Sequence, residues 1–276
     1  MKKSVLSMLA VAALVFGMTS CNGAKKTSEE AEKTEEAAVI AGKAPKDLLT
    51  EELKQETIQL LKDMPDSDIP YRLSTGEVKV NVGDIKYMVP VGKAAELSTP
   101  TQKARALGMY MADYNVLKAI GKPTAEVEGV IAKLATDLNV SFVLDILKEQ
   151  APKDATKEQL QAFLTEQEDK IIEKMAAENK VDAEVEMLGA ASAEYACLIA
   201  NPTLVVEGDA TSAGLSTNME KRVSMLEEVV ADLAAYYPDL KQLGETIAPL
   251  KEKVASIQSA RAANAEIMGI RDALLK

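Results

Sequence analysis

Leu240, Leu243, Ile247, Leu250, Val254 and Ile257 follow one another at steps of three and four residues. That spacing lines one side of an α-helix. The same rhythm runs through Leu49, Leu53, Leu60, Leu61 and Met64 before Pro65, and through Val127, Ile131, Leu134 and Leu138. It returns at Leu160, Phe163, Leu164, Ile171 and Met175, at Val185, Leu188, Tyr195 and Ile199, and at Val223, Leu226, Val230, Leu233 and Tyr237. Stripes of this kind must be buried against one another, so the pattern predicts a mainly α chain folded as a multi-helix bundle. Only 4% of residues are aromatic and none is Trp, while 47% are hydrophobic. The core must therefore be built from Leu, Ile, Val, Ala and Met, which suit packed helices better than a β-sandwich.

Turn and cap residues divide the helices. Ser98 or Thr99 with Pro100 opens one that Gly121 and Pro123 close, and Thr124 opens the next, which stops before Pro152. Thr156 with Gln159, and Thr217 with Glu220, have capping-box spacing. A break is expected near Asn179, a Gly/Thr/Ser-rich loop over about 202–216, and a kink or division at Pro249. One stretch has strand character: Val78, Val80 and Val82 alternate, and after Gly83-Asp84 so do Ile85, Tyr87 and Val89. A two-residue turn would pair Val82 with Ile85, Val80 with Tyr87 and Val78 with Val89, giving a small β-hairpin near residues 78–89.

The segment Thr99–Ile120 is apolar on two sides. Ala104, Leu107, Met111, Tyr114 and Leu117 share one side, and Met109, Ala112, Val116 and Ile120 the other. It should therefore be buried centrally, with Arg105 and Asp113 beside largely apolar surface. Buried charges are costly unless paired, so a structural ion pair is the expected role. The alternative is a ligand-contacting set made of Arg105, Tyr110, Asp113 and Tyr114. Paired acids such as Glu166/Asp169 and Glu184/Glu186 arise by chance in so acidic a chain, and most are expected on solvated faces. Methionines at helical spacing, among them Met109, Met111, Met175 and Met187, are expected in the core.

The first 20 residues contain Lys2 and Lys3, then an apolar run from Val5 to Phe16, too short to cross a bilayer as a helix. They end at Met18-Thr19-Ser20-Cys21, which resembles the lipobox of bacterial lipoproteins. The resemblance implies a lipoprotein signal peptide over 1–20 and lipidation at Cys21, with acyl chains such as palmitate anchoring the chain to a membrane. Residues 21–45 are rich in Lys, Glu, Ala, Ser and Thr and read as an acidic flexible tether. A coil of that length reaches on the order of 25–30 Å. A single helical-bundle domain is expected over 46–276. Asn22 stands where an aspartate would favour retention at the inner membrane, so outer-membrane delivery is expected, on the periplasmic side or at the cell surface. Lys25, Lys26, Glu29 and Glu30 resemble the surface-export signals of Bacteroidota lipoproteins, and the tract Thr101–Tyr114 resembles exported helical lipoproteins of that group. The resemblance implies a cell envelope and no particular activity.

Losing residues 1–20 removes two lysines and no acid, so the formal charge goes from −11 to −13. Such a chain is repelled by nucleic acid, whose binding depends on basic patches. The chain has no histidine, which excludes Ser-His-Asp and Cys-His catalysis and histidine-ligated zinc. No phosphate-cradling glycine loop, dinucleotide fingerprint or Asp-rich calcium loop is present, so neither cofactor nor metal is expected. With Cys21 acylated, Cys197 has no disulfide partner and is expected to be a small buried hydrophobe. Two non-enzymatic roles follow. The favoured one is an envelope protein that binds a protein partner or supports an envelope assembly. The second is a small-molecule or lipid carrier with an apolar pocket between helices.

Overall fold

The computed structural model describes residues 45–66, 68–80 and 87–276. They contain twelve α-helices and one two-stranded antiparallel sheet, and 73% of these described residues are helical. Helices α1 (Glu51–Asp63), α2 (Ile69–Thr75) and α3 (Pro100–Ala119) precede α4 (Ala125–Asp137), α5 (Phe142–Lys148) and α6 (Lys157–Ala177). Then come α7 (Val181–Ala200), α8 (Asp209–Leu233), α9 (Asp239–Ile247), α10 (Leu250–Lys253), α11 (Ile257–Ala262) and α12 (Asn264–Ala273). Strand β1 (Val78–Val80) follows α2, and β2 (Leu204–Val206) follows α7.

Local chemistry sets most of the boundaries. The Thr50 side chain accepts from the Leu53 N–H at the start of α1. Thr99 with Gln102, and Thr156 with Gln159, form complete capping boxes for α3 and α6, and Pro100 sits in the first turn of α3. The expected break at Asn179 is a left-handed residue with φ +55° separating α6 from α7. Pro249 divides α9 from α10.

Three boundaries differ from the sequence reading. The helix expected to run from Thr124 toward Pro152 is two helices, because Asn139 turns left-handed with φ +56° and ends the ladder as only Gly or Asn does cheaply. Residues 202–216 are not a loop: they hold β2 and the first turns of α8. That helix starts after Gly208, whose φ of +87° redirects the chain out of the strand, so Thr217 lies inside a helix and caps nothing.

The antiparallel strand pair is present, and β1 lies where the alternation puts it, but its partner is remote in sequence. Val78 faces Val206, Lys79 faces Val205 and Val80 faces Leu204. Val78, Val80 and Leu204 are buried on the inner face, and Lys79 meets Glu207 at 2.6 Å on the outer one. Tyr87 and Val89, expected opposite Val80 and Val78, are buried in a turn instead of a strand. Buried side chains hold their backbone: the Val89 N–H donates to Asp113, and the Tyr87 carbonyl accepts from Arg271. Gly83-Asp84 and the pair Val82/Ile85 lie outside the described residues.

Helix α7 is the axis of the bundle, with 17 of its 20 residues buried. It packs on α3 above all, at Gly108, and is surrounded by α6, α8, α9, α11 and α12. Lys43–Lys276 form one compact unit around it. Among the described residues no helix is long and apolar enough to cross a membrane.

Candidate functional site

A helix buried on all sides has no solvated face on which to place charge, yet α7 carries three glutamates in its sequence. Glu184, Glu186 and Glu194 are all buried. The expectation of solvated faces therefore fails for the pair Glu184/Glu186. Such carboxyls must be paired or protonated, and each takes a different solution.

Glu186 receives Arg105 of α3, with Nε to Oε2 at 2.6 Å and Nη2 to Oε1 at 3.3 Å. Both side chains are 4% exposed. This forked arrangement is the strong form of an arginine–carboxylate pair. Burial pushes the Glu186 carboxyl up, and Arg105 pulls it back.

Glu194 receives Arg271 of α12, with Nη1 at 3.0 Å from Oε2. Asp113 of α3 stands beside them. Its Oδ2 accepts from the Val89 N–H at 3.3 Å, while Oδ1 meets no donor. Burial drives the Asp113 carboxyl well above its usual range, and the adjacent Glu194 charge drives it further. Glu194 is also raised by burial, against the opposing pull of Arg271. Two carboxyls beside one guanidinium are satisfied when Asp113 keeps its proton and donates it to Glu194.

Glu184 has no such partner. It is 2% exposed, and its Oε2 lacks any hydrogen bond. Burial raises its pKa from 4.5 to about 8, and Glu168 adds to the rise. The cation that shares the cavity wall, Arg222 of α8, is committed elsewhere. It donates to Glu168 at 2.7 Å, to the Pro65 carbonyl at 2.9 Å and to Ser192 at 3.0 Å.

Glu184 opens onto a cavity of about 90 Å³ between α2, α3, α5, α6, α7 and α8. The polar part of its wall is Asp66, Asn115, Gln167, Glu168, Glu184, Tyr195 and Arg222. Met111, Leu147, Leu164, Ile171 and Leu188 supply an apolar part. Asp66, which accepts from the Thr165 hydroxyl, is raised by burial and by Glu168. The wall thus carries three carboxyls against one arginine, and that arginine already faces Glu168. Among the described residues no three His, Cys, Asp or Glu side chains are grouped to hold a metal ion.

The four residues singled out on α3 are all buried but do not converge. Arg105 meets Glu186, and the Tyr110 hydroxyl donates to the Pro90 carbonyl at 2.8 Å, with burial lifting the phenol to about 12. Asp113 meets Glu194. Tyr114 reaches the Leu147 carbonyl at 3.4 Å, where Lys118 also donates at 2.8 Å and lies over the Tyr114 ring. Each closes a different junction of α3 with its surroundings, and none lines the cavity. Cys197 is a buried free thiol, pushed up by burial. Cys21 lies outside the described residues.

The sequence reading named Glu184 only as one of a chance acidic pair and missed Glu168, Asp66 and Arg222. One signal was available: Glu184 sits in Val181–Ala200, which has no polar face to hold it.

No family model, curated protein or solved structure matches this chain.

Proposed function

We propose that the chain is a lipid-anchored cell-envelope protein that holds a small organic molecule inside its helical bundle without transforming it. The observation that carries this reading is Glu184: a carboxyl nearly sealed from solvent, its Oε2 without a partner, on the wall of a cavity that is part apolar and part polar. A buried polar group left unmatched costs about 1–3 kcal/mol. Such a cost is accounted for when a ligand supplies the missing partner. An apolar pocket with a few convergent polar groups is the usual form of a small-molecule site.

The cavity moves the balance from the protein-partner role to the carrier role. The histidine-free composition weighs against catalysis. The lipobox Met18-Thr19-Ser20-Cys21 supports the anchor, and Asn22 supports the outer membrane as its location. A wider groove of about 350 Å³ runs past Pro45, Pro100, Tyr236, Tyr237 and Asp239. Its buried carboxylate, Glu186, is already matched by Arg105, so the groove lacks the unmet demand that marks the cavity.

The test is native mass spectrometry on the full chain extracted from envelopes in mild detergent. A small bound mass is expected, and it should be lost in Ala191→Leu, which extends a side chain from the cavity wall. An intact folded chain with no bound small molecule overturns the reading.

A further inference from the structure

We propose that the cavity beneath Glu184 takes the ammonium head of a small aliphatic amine, with Glu184 as its counter-ion and the Met111–Leu188 wall around its chain. This rests on the small-molecule reading above and adds the chemical class of the ligand.

The class follows from what the wall lacks. Its carboxyls on Asp66, Glu168 and Glu184 are acceptors when ionised, and Asn115 and Gln167 each add an amide oxygen. Against them stands Arg222, whose guanidinium is turned to Glu168, Ser192 and Pro65. Gln167 spends a donor on the Ile146 carbonyl. A ligand bringing carboxylate or phosphate would find as its one cation Arg222, already turned to Glu168. A neutral apolar molecule would leave Glu184 Oε2 as unmatched as before. A cation with several N–H donors matches both the charge and the hydrogen-bond deficit.

The remaining wall fixes the rest of the molecule. Met111, Leu147, Leu164, Ile171 and Leu188 offer no polar side-chain partner beyond a thioether. The space of about 90 Å³ has room for several waters, so it suits a head group and a short chain. A metal ion is the poorer fit, since no three ligating side chains are grouped among the described residues.

Binding should also move a proton. The titratable and charged groups facing Glu184 are Glu168 on α6, Arg222 on α8, Asp66 before α2 and Tyr195 on α7; α3 and α5 present none to the cavity. Burial holds Glu184 protonated up to about pH 8. An ammonium ion beside it favours the carboxylate, so Glu184 gives its proton to solvent as the amine docks.

The experiment is isothermal titration calorimetry of the full chain in detergent with n-butylammonium, 1-butanol and butyrate, at pH 6.5 in two buffers of different ionisation enthalpy. Butylammonium is expected to bind with release of close to one proton per site. Its affinity should rise about tenfold from pH 6.5 to 7.5. Glu184→Gln, which mimics the protonated side chain and should fold, is expected to weaken butylammonium at least tenfold and to abolish the proton release. Butanol binding as well as butylammonium, with no proton released, overturns the amine while leaving a small-molecule cavity in place. Equal butylammonium binding by wild type and Glu184→Gln places the cation elsewhere and overturns the proposal. Binding of none of the three probes overturns it together with the carrier reading.

Discussion

Gly108 of α3 lies directly against the backbone of Met187 on α7: a methyl group at its Cα would fall 2.0 Å from the Met187 carbonyl oxygen. The atom in the way is main chain, in the middle of the most buried helix of the bundle. No rotamer change can make room, so the two helices would have to separate. Gly108→Ala is therefore expected to destabilise the chain by about 3 kcal/mol, the upper end for overpacking, despite the helix propensity that alanine adds. Urea unfolding followed by circular dichroism measures this. A loss below about 1 kcal/mol would show that α3 can slide on α7 freely.

One turn away, Arg105 and Glu186 join the same two helices through a buried forked pair. Removing one partner strands the other charge in the core, which costs about 3–5 kcal/mol. Arg105→Met should show that loss. Replacing both residues with apolar ones, as in Arg105→Met with Glu186→Leu, should recover most of it, because the desolvation of both charges disappears with them. The two urea midpoints decide it. If the double variant is as unstable as Arg105→Met, the pair contributes geometry that apolar packing does not replace.

Helix periodicity, the caps at Thr99 and Thr156 and the buried position of Thr99–Ile120 were legible because each depends on residues within one or two turns. The strand pairing was not. Alternation at Val78, Val80, Tyr87 and Val89 reports which side chains are buried, and all four are. It says nothing about the partner, and the ladder forms with Leu204–Val206 after a long excursion. The site was hidden for a related reason. A charge at Arg105 beside an apolar stripe can be recognised as needing a partner, but Glu186 is 81 residues away, and no local spacing connects them. Glu184 and Glu186 were counted among many acids, where the flanking Val185, Met187, Leu188 and Gly189 leave no solvated face for either.

The proposed lipid anchor at Cys21 makes a prediction that does not depend on the bundle. Cys21→Ser removes the only thiol at the expected cleavage site. The variant should lose incorporation of labelled palmitate and leave the membrane fraction, while the cavity residues remain intact. Unchanged incorporation in Cys21→Ser would sink the anchor.

Asp113 and Glu194 make the stability depend on pH in a direction opposite to ordinary surface carboxylates. Both are raised in the folded protein above their usual values of 3.8 and 4.5, chiefly by burial. The folded state therefore holds protons that the unfolded chain has already released. That contribution is complete below about pH 4 and is lost as the pH climbs toward the folded values, at up to about 1.4 kcal/mol per pH unit for each group. Asp113→Asn keeps an acceptor for the Val89 N–H and a donor for Glu194, but has no proton to lose. Between pH 5 and pH 8 the wild-type chain should lose stability relative to Asp113→Asn by at least about 1 kcal/mol, read from urea unfolding at both values. Titrations elsewhere on the surface affect both proteins alike and drop out of the difference. Parallel profiles would mean that Asp113 is already ionised in the fold, with its charge carried by Arg271 alongside that of Glu194.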